Sequence, residues 1–206
     1  MNLARVLLYY ITDRQSCPVP LEARVREAFD AGVDMVQLRE KDLEARDLCN
    51  LASSLAAPPR RGKLLINARA DVAFAAGADG VHIPSSGPAP RVVRSICERS
   101  LSIGVSCHSP DQVARAEQEG ADFVVFGPVF DTPSKRRYGP PQGLERLAEV
   151  CRRARLPVLA LGGVTLANAG ECLEQGAAGF AAISLFQREG PLAPLVAKLR
   201  ALDAMR

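Results

Sequence analysis

The stretch AGADGVHI, residues 76–83, decides the fold that this sequence predicts. A glycine stands near its start, and an apolar run begins two or three residues later. The same pattern recurs as AGVDMVQL at 31–38, EGADFVVF at 119–126 and QGAAGFAAI at 175–183. Glycine can end a helix in the left-handed conformation without steric cost. Each copy therefore predicts a helix that ends at the glycine and a strand that follows it.

Short apolar runs alternate with amphipathic segments from one end of the chain to the other. Eight of these runs predict strands, near residues 5–11, 33–38, 63–66, 79–82, 101–106, 122–127, 157–160 and 178–181. Repeated βα units form a parallel sheet, and eight of them in 206 residues fit an α/β fold, a compact (β/α)8 TIM barrel. We predict one barrel domain over residues 1–206, with a doubly wound open sheet as the alternative. In either fold the residues just after each strand gather at the working face.

Composition narrows the class of protein. Hydrophobic residues make up 48% of the chain, enough for a full core, and charged residues make up 24% with a net charge of +3. The mixed charges form no long basic run, so we expect neither nucleic acid nor a membrane as a partner. Six scattered cysteines without a C-x-x-C pair predict reduced, mostly buried thiols, no zinc site and a cytoplasmic protein. The apolar start of the chain is too short to span a membrane and predicts the first strand.

Cationic and amide side chains follow the second predicted strand. Gln37, Arg39 and Lys41 alternate in QLREK, and alternation in an extended segment places them on one side. An arginine and a lysine that converge suit a phosphate or a diphosphate. The alternative is a solvated strand end with ordinary ion pairs to the neighbouring Glu40 or Asp42.

Asn67 follows the third predicted strand. As a neutral donor and acceptor at an interior-facing strand end, it could bind a substrate. It could equally cap the helix that we expect to start at Ala68 or Arg69. The two roles do not exclude each other.

Both histidines of the chain stand at predicted strand ends. His82 ends the fourth strand, and Ser106 and His108 lie two residues apart, hence on one face, at the end of the fifth. We predict these three as the catalytic candidates, because an imidazole can donate or accept a proton near neutral pH. A packed or capping histidine is the alternative. Spacing identifies no acidic partner, so a nucleophile triad is not supported.

A long loop, DTPSKRRYGPPQG at 131–143, follows the sixth predicted strand. Long loops at this face are usually functional, and Thr132, Ser134 and Lys135 supply hydroxyl and cationic groups for an anion. A solvated basic surface loop is the alternative.

The seventh predicted strand ends in Gly162 and Gly163, and Ser184 follows the eighth. Paired glycines let backbone N–H groups approach a phosphate closely, and a following helix N-terminus would add its dipole. Barrels often bind a phosphate with the loops after strands seven and eight. We therefore predict that these three residues bind an anion.

Six motifs in order carry a resemblance to a known family. QLREK, IN-x-R-x-D-x-A, GADGVHI, IGVSCHS, GADFVVFGPVFDTPSK and PVLALGGV cover nearly the whole chain. Together they closely resemble the thiamine phosphate synthase superfamily. The resemblance implies a (β/α)8 barrel and a role in making thiamine from a small thiazole phosphate.

In the synthases, the resemblance implies a reaction that joins a hydroxymethylpyrimidine diphosphate to a thiazole phosphate and releases diphosphate. Ser106 would then face the reacting pyrimidine. The diphosphate would be held by Arg39, Lys41, Asn67 and Lys135, and the thiazole phosphate by Thr132, Ser134, Gly163 and Ser184.

Two carboxylates that the resemblance implies are missing. Synthases of this superfamily bind magnesium through two aspartates, and this chain has Ala68 at the first position and a loop around Gly87 without any carboxylate at the second. The TenI-like branch of the superfamily tautomerises a thiazole phosphate carboxylate and needs no metal. The Asn-small-Arg run and the Pro-Ser-rich loop look like that branch. One departure is Pro128, where a tautomerase of this branch has a histidine.

From this resemblance we take a metal-independent TenI-like thiazole tautomerase as the leading hypothesis, with no cofactor and with His108 or His82 as the proton carrier. The first alternative is a thiamine phosphate synthase with an altered magnesium site. The second is a non-catalytic barrel that binds a thiamine precursor. The oligomeric state stays open, a homo-oligomer included.

Overall fold

Eight parallel strands form a closed barrel in the computed structural model, which describes residues 5–97, 100–132 and 140–205. Each strand pairs with the next in the sequence, and the last pairs with the first. The strands are β1 Leu7–Ile11, β2 Met35–Leu38, β3 Lys63–Asn67, β4 Gly80–Ile83, β5 Ser102–Cys107, β6 Phe123–Phe126, β7 Val158–Leu161 and β8 Gly179–Ala182. Every one overlaps a predicted strand. The (β/α)8 barrel is confirmed, and the open sheet is wrong.

A helix follows each strand and covers the outside of the barrel. The helices are α1 Leu21–Asp30, α2 Ala45–Ala56, α3 Ala70–Ala75, α4 Pro90–Ile96, α5 Pro110–Gln118, α6 Gly143–Arg153, α7 Ala169–Glu174 and α8 Leu192–Ala201. Short 3-10 helices occur at Arg14–Ser16 and Leu202–Met205. Within the described ranges, none of the helices has the length and apolar character needed to cross a membrane.

The repeated glycines end helices as the sequence predicts. Gly32, Gly77, Gly120 and Gly176 have φ angles of 95°, 69°, 87° and 89°. These angles lie in the left-handed region, where any residue with a Cβ is strained. The four copies of the pattern therefore mark four turns from helix to strand at the amino ends of the strands.

The aspartate two residues after the glycine in three of the copies has a structural role that the sequence analysis missed. Asp34, Asp79 and Asp122 each accept a hydrogen bond from a backbone N–H of the neighbouring strand. The donors, at 2.8, 2.7 and 2.7 Å, are Leu8, Leu64 and Ile103. An arginine side chain also pairs with each aspartate, namely Arg200, Arg60 and Arg94. These ties lie at the amino ends of the strands, the face of such barrels that serves stability.

Strand residues alternate between the barrel interior and the layer beneath the helices. Tyr9 is fully buried in the interior, whereas its neighbour Tyr10 is buried in the outer layer against Phe186. The interior also holds Ile11, Met35, Leu65, Phe123, Val125, Leu159, Ala178 and Ala181. This apolar plug fills most of the barrel, so the polar residues gather toward its rim.

All six cysteines are free thiols. Cys107 and Cys172 are buried and the other four are partly buried. Burial raises the pKa of Cys107 and of Cys172 to about 12 and that of Cys151 to about 11. Since the thiolate is the reactive form, these three thiols are poor nucleophiles and serve the packing of the core.

Candidate functional site

A cavity of about 620 Å³ opens at the carboxyl ends of the strands. Its volume lies in the middle of the range typical of small-molecule sites, about 300–1,000 Å³. The predicted residues that line it are Gln37, Arg39, Lys41, Asn67, His82, Ser106, His108, Thr132, Gly162, Gly163 and Ser184. Ser134 and Lys135 lie outside the described residues. The cavity thus brings together most of the site residues that the sequence predicts.

The β2 end presents Arg39 and Lys41 to the cavity. Glu40 and Asp42 both turn toward Arg14, and Glu40 is buried. Within the described part of the chain, no carboxylate forms an ion pair with the Arg39 side chain. Its guanidinium is therefore open to an anion in the cavity.

A buried carboxylate fixes the backbone that carries Arg39. Glu40 is 5% exposed and accepts hydrogen bonds from the Thr12 hydroxyl at 2.5 Å and the Arg14 N–H at 2.9 Å. The same Thr12 oxygen accepts the backbone N–H of Arg39 at 2.9 Å. Glu40 therefore ties the ends of β1 and β2 together and positions the cationic residue beside it.

Asn67 is the last residue of β3 and does not cap the helix that follows. That helix begins at Ala70, later than expected, and its N-terminal flanking residue is Arg69 with no side-chain cap. The Asn67 side chain lines the cavity and makes no hydrogen bond to any described residue. The predicted capping role is therefore wrong, and ligand binding by Asn67 stays a prediction.

Ala68 has a φ of 61°, in the left-handed region. An L-residue pays roughly 1–2 kcal/mol for this conformation, and asparagine and aspartate tolerate it best. The Ala68 backbone is therefore strained in a conformation that an aspartate would tolerate better. Aspartate is the residue that the resemblance implies at this position.

The residues at the two implied magnesium positions do not fit the metal. Ala68 and Gly87 offer no side-chain oxygen, and Asp71 on the next helical turn is held by Arg69. No cluster of three or more potential metal ligands occurs within residues 5–97, 100–132 and 140–205. Asp13 is the one carboxylate among the described residues that line the cavity. Since Mg²⁺ is usually bound through one or two carboxylates, this donor set is a poor match.

His82 is buried in the barrel interior with both ring nitrogens engaged. Its Nδ1 lies 3.2 Å from the Tyr9 hydroxyl, and its Nε2 lies 2.8 Å from Ser106 Oγ. Burial, helped by the positive charge of Arg39, lowers the His82 pKa to about 3. The imidazole is therefore neutral at physiological pH. It is poorly suited to be the proton carrier, because a base of such low pKa holds no proton near neutrality.

His108 lies at the surface of the site. Its Nδ1 is 2.6 Å from the carbonyl oxygen of Gly127, so Nδ1 must carry the proton of this bond. In the neutral ring, Nε2 is then unprotonated. His108 thus suits proton transfer better than His82 does.

The glycine pair after β7 is required by close packing. Gly162 and Gly163 have φ angles of 95° and 65°, and a Cβ on Gly162 would lie 2.5 Å from Pro128 Cβ. Among the described residues, no acceptor receives the backbone N–H of Gly163 or Ser184. Both groups lie at the cavity and are available for an anion.

The prediction that a helix N-terminus adds its dipole to this glycine pair is wrong. Helix α7 begins only at Ala169, after a turn held by Thr165 and Asn168, and α8 begins only at Leu192. Neither helix starts beside Gly163 or Ser184. An anion here would depend on single N–H groups and hydroxyls, without the dipole of a long helix.

The structure adds a part of the rim that the sequence analysis did not identify. Asp13, Ser16 and Gln187 line the cavity where β1 meets β8. Gln187 accepts the Asp13 N–H at 2.8 Å and donates to the Asp13 carbonyl at 2.7 Å. The residue alternation Tyr9, Ile11, Asp13 along β1 was the available signal, since it continues one face of the strand past its end.

A (β/α)8 barrel with a polar cavity at the carboxyl ends of its strands has the architecture of the TIM-barrel enzymes. The chain matches the TMP-TENI family model, described as thiamine monophosphate synthase, over residues 8–186. This protein belongs to the thiamine monophosphate synthase family. The match does not distinguish the TenI-like branch from the synthases.

Known relatives resemble the chain over most of its length. A Geobacter sulfurreducens protein with a provisional name as a thiamine-phosphate synthase is 49% identical over 86% of this chain and 84% of its own. The thiamine-phosphate synthase of Roseiflexus sp. (strain RS-1) is 42% identical over 86% of this chain and 77% of its own. The structure of thiamine phosphate pyrophosphorylase from Pyrococcus furiosus superposes with a TM-score of 0.86 at 31% identity and covers 98% of each chain.

Proposed function

We propose that this protein is a thiamine phosphate synthase, which joins a hydroxymethylpyrimidine diphosphate to a thiazole phosphate. The observation that carries the proposal is that two separate sets of groups suited to anions line one cavity. The relatives named as synthases support this alternative over the tautomerase hypothesis, and none of their names supports a tautomerase.

The two sets of donors follow different strands at the barrel mouth. Arg39 and Lys41 follow β2, whereas Gly163 follows β7 and Ser184 follows β8. Around the closed barrel, β7 is three strands from β2 and directly opposite β3, the strand of Asn67, whereas β8 is two strands from β2. Two phosphorylated substrates could therefore enter with their charged groups apart and their reactive rings between them. A tautomerase with one monophosphate substrate would have less use for the second set.

The reaction breaks the bond between the pyrimidine methylene carbon and the diphosphate oxygen. The leaving diphosphate takes the electron pair, and the thiazole nitrogen forms the new bond to the methylene carbon. The developing charge on the leaving oxygens is what the site must stabilise. Arg39, by bidentate hydrogen bonds, and Lys41, as a point charge, can supply that stabilisation. Asn67 adds an amide donor from the adjacent strand.

Magnesium has no defined place in this mechanism, because the donors present do not fit it. No step is assigned to a metal, and the protein's own cations neutralise the leaving group. We expect the activity to fall less on chelation than it would in an enzyme with two carboxylate ligands.

Diphosphate release from pyrimidine diphosphate and thiazole phosphate tests the proposal. We expect release that needs both substrates, and an Arg39→Gln variant with kcat/KM reduced about 10- to 100-fold, as expected for a lost charge-assisted hydrogen bond. Arg46→Gln, on the exposed outer surface of α2, is the matched control and should retain full activity. Absence of diphosphate release by the wild-type protein, with or without Mg²⁺, would refute the proposal.

A second candidate function is the thiazole tautomerase. It is favoured by Ala68 and Gly87, which leave the implied metal positions without carboxylates. His108, with its unprotonated Nε2, would then carry the proton. NMR of the thiazole phosphate carboxylate with the purified protein would show accelerated tautomer exchange if this candidate is right. Tight binding of thiamine phosphate without turnover in either assay would instead favour the non-catalytic barrel.

A further inference from the structure

A chain of four hydrogen-bonded side chains crosses the barrel interior and ends at the cavity. Gln37 Nε2 lies 3.1 Å from the Tyr9 hydroxyl, which lies 3.2 Å from His82 Nδ1. His82 Nε2 lies 2.8 Å from Ser106 Oγ. The first three residues are at most 2% exposed although Gln37 and His82 also border the cavity, whereas Ser106 is partly exposed to it. The chain therefore connects a buried amide with a group that a substrate can touch.

The direction of these hydrogen bonds follows from counting protons. Gln37 Nε2 is a donor only, so the Tyr9 oxygen accepts its bond and donates its single proton onward. His82 Nδ1 must therefore be the acceptor. A neutral imidazole with an unprotonated Nδ1 carries its proton on Nε2, and this N–H donates to Ser106. Because Ser106 Oγ accepts from inside, its own proton is free to be donated into the cavity.

Burial keeps the direction of the chain constant. The His82 pKa is lowered to about 3 and the Tyr9 pKa is raised, in both cases chiefly because burial disfavours the charged form. Neither group changes its protonation state between pH 5 and 8. The chain thus works as a fixed orienting device and not as a proton shuttle.

Packing prevents the His82 ring from turning over. The Tyr9 and Phe123 rings lie 5.8 and 6.3 Å from it between centroids, and Gly104 leaves the space that the ring edge occupies. A Cβ on Gly104 would lie 2.9 Å from His82 Nδ1. The two ring nitrogens therefore keep separate partners, which a freely rotating side chain would not do.

We propose that Gln37, Tyr9 and His82 are positioning residues that fix Ser106 as a hydrogen-bond donor and so select a substrate with an unprotonated acceptor atom at this point. An aromatic ring nitrogen with a free lone pair has the required chemistry, and a protonated ring nitrogen is rejected. The identity of this ring as the pyrimidine rests on the proposed function. The direction of the hydrogen bonds does not.

The His82 tautomer tests the direction without any substrate. The chain contains only two histidines, so ¹⁵N-histidine labelling of the full protein gives two sets of ring signals, and a His108→Gln variant assigns them. We expect the Nε2–H tautomer for His82, with Nδ1 at the chemical shift of an unprotonated nitrogen. The Nδ1–H tautomer would mean that all the bonds run the other way, and it would overturn the proposal.

Substrate analogues test the selection. Two pyrimidine diphosphates, each with one ring nitrogen replaced by C–H, are compared with the parent compound. We expect one of them to lose about 10- to 100-fold in kcat/KM with the wild-type protein, and this difference to disappear in Ser106→Ala. Tyr9→Phe should reduce the difference, because His82 Nδ1 loses the donor that fixes its tautomer. A merely structural role would lower activity with all three compounds equally.

Tyr10→Phe is the matched control for Tyr9→Phe. The two tyrosines are adjacent and fully buried, but the Tyr10 hydroxyl lies outside the barrel interior and takes no part in this chain of hydrogen bonds. This variant should keep the wild-type preference. If both analogues match the parent compound, the selection is wrong although the synthase function stands. If no compound reacts, the synthase function fails, and the tautomer measurement still decides the direction.

Discussion

The buried neutral His82 makes the stability of the barrel depend on pH. In the unfolded chain this histidine binds a proton below a pKa of 6.5, whereas in the folded protein it does so only below about 3. Between these values the unfolded state holds more protons, so the free energy of unfolding falls as the pH falls. In this window the free energy of unfolding falls by about 1.4 kcal/mol for each pH unit. Above the unfolded pKa, this histidine causes no loss of stability. From pH 7 to pH 5 the protein should lose about 2 kcal/mol.

Urea unfolding at pH 7.0, 6.0 and 5.0 measures this loss. Most carboxylates stay ionised in this window, so the histidine dominates the slope. We expect His82→Asn to be less stable overall but to lose this part of the pH dependence. His108→Asn, at an exposed position, should keep it. A wild-type protein with equal stability at pH 5 and pH 7, or a His82→Asn variant with the wild-type slope, would show that the imidazole is not buried and neutral.

Three further substitutions and two control variants have expected effects on the free energy of unfolding. Gly162→Ala combines a left-handed φ with a Cβ 2.5 Å from a proline of the adjacent loop, and should cost about 2–4 kcal/mol in urea unfolding. Gly77→Ala, with a similar φ but open space, should cost only about 1–2 kcal/mol. Ala68→Gly should stabilise by about 1 kcal/mol in thermal unfolding because it relieves the left-handed strain, and a loss would contradict this. Glu40→Gln should cost about 1–3 kcal/mol and weaken substrate binding, whereas the exposed Glu174→Gln should do neither.

The fold could be predicted because its signals are local. Gly32, Gly77, Gly120 and Gly176 each need a left-handed backbone, and this requirement does not depend on the rest of the chain. The apolar runs after them have the length of strands, and eight such units in one chain suffice to predict a barrel. The aspartates beside three of the glycines were missed because their backbone partners lie on the preceding strand, one βα unit earlier in the chain.

The sequence could also predict that the site residues meet at one rim of the barrel. It could not predict the hydrogen bonds among them. Parallel strands bring their carboxyl ends together, so Arg39, Ser106 and Gly163 had to meet. The roles of Tyr9 and His82 depend on a contact between β1 and β4 across the barrel interior. In the sequence, Tyr9 is one of two adjacent tyrosines in an apolar run, and nothing local tells which of them faces His82.

The left-handed backbone at Ala68 has a consequence for engineering the site. An aspartate could be placed there with the main chain already in a conformation that it tolerates better than alanine does. One kind of barrel stabilises its leaving group with arginine and lysine alone, and another binds a metal cation there. At this strand end, the two would differ only in their side chains. The main chain itself is compatible with both.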